Sequence, residues 1–90
     1  MNTIEHRPQE SRFVTVVEGI EAELNYTELG GVMHITHTGV PSEIGGRGIA
    51  GQLVKSAFEH ARSANLKVSP DCTYAEAWIA KHPDYNDLVV

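Results

Sequence analysis

The chain has a single cysteine, Cys72, in 90 residues, which excludes an internal disulfide and any cysteine-rich zinc site and fits a reducing compartment. It has no apolar run near the roughly 20 residues needed to cross a bilayer, and Met1–Arg12 is polar where a signal peptide would be apolar. A cytoplasmic protein with no membrane partner is expected. Positive charge is scarce too: 7 Lys+Arg against 12 Asp+Glu give a formal charge of −5. That is the wrong sign for holding nucleic acid through its phosphates, so no nucleic-acid partner is expected. The five histidines lack tight ligand spacing, which argues against a metal site. Length excludes a second domain and the large enzyme architectures, because a chain this short buries only about 60–65% of its unfolded surface. A monomer or a weak homodimer is expected.

What is present is a globular composition, with 41% hydrophobic residues, 8 glycines and 4 prolines. Residues 1–11 are almost devoid of apolar side chains and read as a flexible N-terminal segment that adds little to the core, leaving 12–90 as one domain. Phe13–Val17 is β-branched and aromatic. After Glu18-Gly19, Ile20, Ala22, Leu24 and Tyr26 alternate with Glu21, Glu23, Asn25 and Thr27 as in an amphipathic strand. Gly30-Gly31 marks the next turn, and Val32–Val40 reads as a third strand, with Met33, Ile35 and His37 on one face and Val32, His34, Thr36 and Thr38 on the other. Six glutamates fall in residues 1–40 against Arg7 and Arg12; several alternate along a strand, so a solvated face is favoured over an attractor for cationic substrate.

Pro41 stops the third strand, and a glycine-rich connection runs to Gly48. Ile49, Leu53, Val54, Ala57, Phe58 and Ala61 then recur every three or four residues as one apolar stripe of a helix, with Asn65 as its C-terminal cap. Leu66–Ser69, stopped by Pro70, reads as a fourth strand parallel to the third, which makes strand, loop, helix and strand a βαβ unit. Thr73-Tyr74-Ala75-Glu76 matches a capping box, predicting a second helix with Thr73 as its cap and with Ala75, Trp78 and Ile79 inward, closed by His82-Pro83. The fold class is therefore α/β, of the α+β kind: a mostly antiparallel sheet of about four strands, one βαβ unit and two helices.

Three segments carry chemistry. Gly45, Gly46 and Gly48 allow backbone N–H groups to approach a ligand, and the following helix adds free donors and the positive end of its dipole, a setting suited to phosphate or diphosphate. No Gly-Lys-Ser/Thr ends the loop, which separates it from nucleoside-triphosphate loops, and the preceding strand belongs to a meander, which separates it from dinucleotide folds. A ligand-free tight turn remains an alternative. Cys72 precedes a helix N-terminus, where backbone donors favour the nucleophilic thiolate; a buried hydrophobic thiol is its other reading. His37, at the end of the third strand, can take a proton at neutral pH or act as a hydrogen-bonded structural group. His34 and His60 receive no role, and His82, Tyr74 and Tyr85 read as packing or capping groups.

The run Val40-Pro41-Ser42-Glu43-Ile44-Gly45-Gly46-Arg47-Gly48-Ile49-Ala50 resembles the acetyl-CoA-binding segment of the GNAT superfamily of N-acetyltransferases, Gln/Arg-x-x-Gly-x-Gly/Ala. Gly48 and Ala50 match, and Gly45 stands where Gln or Arg is usual. His37-Thr38, Cys72-Thr73-Tyr74 and His82-Pro83-Asp84-Tyr85 are similar to the small, single-domain GNAT-like proteins, over nearly the whole chain after Arg12. The resemblance implies a minimal GNAT-like fold and acetyl-CoA-dependent transfer of an acetyl group to an amine. Acetyl-CoA or coenzyme A would be bound by Val40, Gly45, Gly46, Arg47, Gly48, Ile49 and Ala50, and Cys72 would take part in transfer. His37 would deprotonate Cys72 or the incoming amine. A non-catalytic CoA or acyl-CoA binding module is the alternative.

Overall fold

Two tight turns set the sheet. Glu18 and Gly19 have φ of 53° and 76°, and Gly30 and Gly31 have φ of 57° and 81°; two consecutive positive values make the hairpin turns whose twist matches that of the flanking strands. In the computed structural model, which describes residues 3–90, these turns join strands β2 (Arg12–Val17), β3 (Ile20–Leu29) and β4 (Val32–Gly39). Helix α1 (Ile49–Ser63) returns the chain to β5 (Lys67–Pro70), which pairs parallel to β4, and helix α2 (Thr73–Ala80) follows. A 3-10 helix over Pro83–Leu88 ends the chain's regular structure.

The sheet has five strands in the order β1-β2-β3-β4-β5, not four. The additional strand, β1 (Glu5–Arg7), lies in the polar segment expected to be loose; Met1 and Asn2 of that segment lie outside the described residues. Its hydrophobic content is low because it needs little. β1 pairs antiparallel with β2 through its backbone, and His6 supplies its core contact by stacking on Phe13 with ring centroids 4.2 Å apart.

The helices pack on one face of the sheet. Phe13, Ala22, Leu24, Tyr26, Met33 and Ile35 meet Ala75, Trp78 and Ile79 of α2 and the full predicted stripe of α1, with Ile49, Leu53, Val54, Ala57, Phe58 and Ala61 all buried. Fully burying such a side chain stabilises the fold by about 1.5–3 kcal/mol. The C-terminus of α1 is closed as its sequence predicts. Asn65 takes φ of 59°, and Leu66 N–H donates to Ala61 O at 2.8 Å and Asn65 N–H to Arg62 O at 3.3 Å, the paired bonds of a left-handed C-terminal cap.

The predicted alternation along β4 fails midway. Tyr26 stands opposite Ile35 but Asn25 stands opposite His37, so Thr36 is an unpaired extra residue, a β-bulge. Residues directly opposite each other share a face. Thr38, opposite the buried Leu24, therefore turns toward the helices, while His37 moves to the open face beside Asn25. Met33, Ile35 and His37 do not share one side.

Candidate functional site

Strands β4 and β5 separate at the point where the bulge begins. Their last pair is Ile35 with Pro70, and Pro70 has no N–H with which to continue the ladder. β4 runs on through Thr36–Gly39 without a strand on that side, leaving a fork. Cys72 lies in the fork. Its N–H donates to Ile35 O at 2.9 Å, and its half-buried side chain packs against the core.

Cys72, rather than the expected Thr73, is the N-cap of α2. Its φ and ψ of −87° and 149° are extended, Thr73 is already the first helical residue, and the cap bond is Ala75 N–H donating to Cys72 Sγ at 3.3 Å. The helix therefore starts one residue before the Thr73 pattern implies, with a cap that the sequence does not advertise, because cysteine is not among the usual capping residues. Thr38 Oγ1 lies 3.5 Å from the same sulfur. A backbone donor in the first turn of a helix and a hydroxyl thus converge on the sulfur.

The glycine loop enters α1 through Gly48, whose φ of 74° is left-handed and which has no side chain to cap the helix. Gly48 therefore offers the first-turn donors of α1 no side-chain acceptor of its own. A Cβ added at Gly46 or Gly48 would meet nothing within 4 Å, so the outer side of both glycines is open space. Ile49 and Ala50 continue the same turn, Ile49 with its side chain in the core. Gly45 is tighter, since a Cβ there would come 3.3 Å from Ser42 O. Open glycines ahead of a helix N-terminus could hold a diphosphate through backbone N–H groups. Val40 packs against the core at the loop's start. Arg47 points its guanidinium elsewhere, onto Glu18 of the β2–β3 turn at 2.9 and 3.3 Å, which holds the Glu18 carboxyl below its ordinary pKa.

A groove of about 430 Å³ leads away from the loop between the two helices. Gly48, Gly51, Gln52 and Lys55 form one wall and Tyr74, Ala77, Trp78, Lys81 and His82 the other. Gly51 is the point of close approach: a Cβ there would stand 3.4 Å from Tyr74 Oη and 3.5 Å from Trp78 Nε1. Trp78 is held on its other side by Phe58, at 5.3 Å between centroids, and by His82, at 3.9 Å. His82 in turn has Nδ1 2.8 Å from Trp78 O. Sequence reasoning left this groove unread, although its walls show the same spacing of i, i+3, i+4, i+7 on each helix. Apolar periodicity is the signal that was followed, and these stripes mix glycine, lysine and aromatic residues.

Of the residues singled out in the sequence, the structure brings Cys72 to the end of β4, from which the chain continues into the loop Gly45–Ala50. It does not bring His37 to Cys72; Thr38, to which no role was given, takes that place. His34 is 3.1 Å from Asp71 Oδ2, and Tyr85 donates to Glu59 on the outer surface of α1.

A family model described as GCN5-related N-acetyl-transferase matches residues 12–88. Protein NATD1 of Mus musculus is 31% identical over 83 residues, spanning 89% of this chain and 76% of the relative; the Homo sapiens protein is 30% identical over 83 residues, spanning 89% and 74%. The NMR solution structure of a GCN5-like protein from Staphylococcus aureus superposes with a TM-score of 0.77 at 32% identity, over 98% of this chain and 87% of that one.

Proposed function

Starting from the membership of this chain in the GCN5-related N-acetyltransferase family, we propose that it binds acetyl-CoA and transfers the acetyl group to an amine. The observation that supports this reading most directly is the half-buried thiol in the strand fork, with an uncapped, glycine-lined helix N-terminus following the same strand in the chain. Gly45–Ala50 would hold the diphosphate through backbone donors. The free edge of β4 from Thr36 to Gly39 would offer backbone groups to the amide-bearing arm, ending at Thr38 and Cys72. The coenzyme supplies an acyl group activated as a thioester, whose exchange onto another thiol is close to isoenergetic.

Cys72 is the proposed acceptor of that group. Its sulfur forms the new bond to the acetyl carbon as the coenzyme's thiolate departs, and the amine then forms the amide bond while Cys72 leaves as thiolate. Ala75 N–H and the Thr38 hydroxyl stand against the sulfur and would stabilise the charge that develops on it as it leaves the acetyl group. The face on which His37 lies, beside Asn25, supports a role toward the amine. On the open face of the same strand it serves as base for an amine arriving from that side, and not as the base for Cys72.

The test is incubation with acetyl-CoA followed by intact-mass measurement of the wild type and of Cys72→Ser. A gain of one acetyl group in the wild type alone, discharged by added amine, is the expected result. Acetyl transfer to an amine by both proteins with no mass gain in either would replace the covalent route with direct attack; tight CoA binding without transfer to any amine would leave a binding module.

A further inference from the structure

In a chain of net charge −5 with only seven lysines and arginines, the position of each cation is informative. Five are committed. Arg7, Arg12, Arg47 and Arg62 are in ion pairs with carboxylates at 4 Å or less, and Lys67 Nζ donates to Asp87 O at 2.8 Å. Among the described residues the two cations left without such a partner are Lys55 and Lys81, both exposed, and both line the groove between α1 and α2. They stand on opposite walls. Lys55 lies one turn beyond Gly51 on α1, and Lys81 lies three residues beyond Trp78, which packs near Gly51, on α2. Lys55 is seven residues along α1 from Gly48, about 10 Å of helical rise.

An acidic protein that keeps two unpaired ammonium groups on one groove creates a local positive field there. Two lysines act as separate point charges and impose no planar geometry, which suits a tetrahedral phosphate dianion better than a carboxylate. We infer that Lys55 and Lys81 clamp the phosphomonoester on the ribose of the coenzyme, and so select intact CoA over carriers that lack this phosphate. The inference rests on the CoA reading above and adds to it the residues that distinguish one nucleotide end from another. The groove then divides its work: the glycine loop holds the diphosphate through N–H groups, Gly51 leaves room above Tyr74 and Trp78, and the lysines fix the far phosphate.

Calorimetric titration of CoA and of 3′-dephospho-CoA into the folded wild type, Lys55→Gln, Lys81→Gln and the double variant tests this. Two exposed charge contacts of ordinary strength make CoA bind about tenfold tighter than dephospho-CoA to the wild type. In the double variant CoA should fall to the level of dephospho-CoA, whose own affinity stays unchanged, and each single variant should fall between. The advantage of CoA should also shrink as salt rises. Equal affinity of the wild type for both ligands, or equal weakening of both by the double variant, overturns the clamp while leaving the coenzyme reading in place. Binding of neither ligand overturns both.

Discussion

Thr38 Oγ1 and Cys72 Sγ approach to 3.5 Å across the fork between β4 and the start of α2, although 34 residues separate them in the chain. The contact exists because Thr36 bulges out of β4. One residue fewer in that strand would turn Thr38 outward and leave the sulfur with only its helix cap.

Two substitutions separate the structural and chemical uses of Cys72. Cys72→Ala deletes the cap bond to Ala75 N–H and should cost about 1 kcal/mol, a fall of roughly 4–8 °C in Tm for a domain of this size. Cys72→Ser keeps an acceptor at the cap and should melt no lower than the wild type, yet take no acetyl group. Thermal melts and intact masses of the two variants check both halves.

Thr38→Val removes the hydroxyl and keeps the shape. Acetylation of Cys72 should slow several-fold, with CoA affinity unchanged. His37→Gln, on the open face, should leave Cys72 acetylation at the wild-type rate and slow discharge to amine. Stopped reactions followed by intact mass resolve the two steps; slower Cys72 acetylation in His37→Gln would contradict the placement of His37.

Gly48→Ala should strain the entry to α1, since φ of 74° is costly for a residue with a Cβ, of order 1–3 kcal/mol. Because that strain re-aims the first-turn donors, CoA affinity should fall by more than stability alone explains. Calorimetry at a temperature where the variant is fully folded makes the comparison.

Acid should weaken the attachment of β1. Burial holds the His6 pKa below its ordinary value, with nearby His60 acting in the same direction and Glu28 against both. The neutral ring stacks on Phe13, meets His60 edge-on at 4.3 Å and has Nε2 2.6 Å from Tyr26 Oη. A depressed folded-state pKa means the unfolded chain binds the proton first, so stability is intact above about 6.5, the unperturbed histidine value, and declines as pH falls below it. Tm should therefore drop between pH 7 and 5 in the wild type and drop less in His6→Gln. The carboxylates with lowered pKa, Glu18, Asp71 and Asp87, lose their contribution only at lower pH.

Phe58→Ala is the core substitution with reach into the groove. Its ring is fully buried, stacks on Trp78 and meets Tyr85 at a tilt, so the loss should be about 3–5 kcal/mol. Phe58→Leu, a milder change, should leave a folded protein whose Trp78 fluorescence is altered and whose CoA affinity is reduced.

By itself the sequence determined whatever depends on near neighbours. The stripe of α1 from Ile49 to Ala61, the cap at Asn65, the glycine loop and the parallel return to β5 are all legible, because a period of 3.6, a left-handed Asn and a proline stop act within a few residues. Tertiary structure decided the rest. Whether His37 or Thr38 faces Cys72 depends on the pairing of β3 with β4, where one unpaired residue reverses the phase of every side chain after it. β1 forms from polar residues because β2 offers it a backbone edge and Phe13 a surface for His6. The groove has a stripe on each helix but nothing in the sequence that joins the two: Lys55 and Lys81 become a pair only when the two helices pack side by side at Gly51.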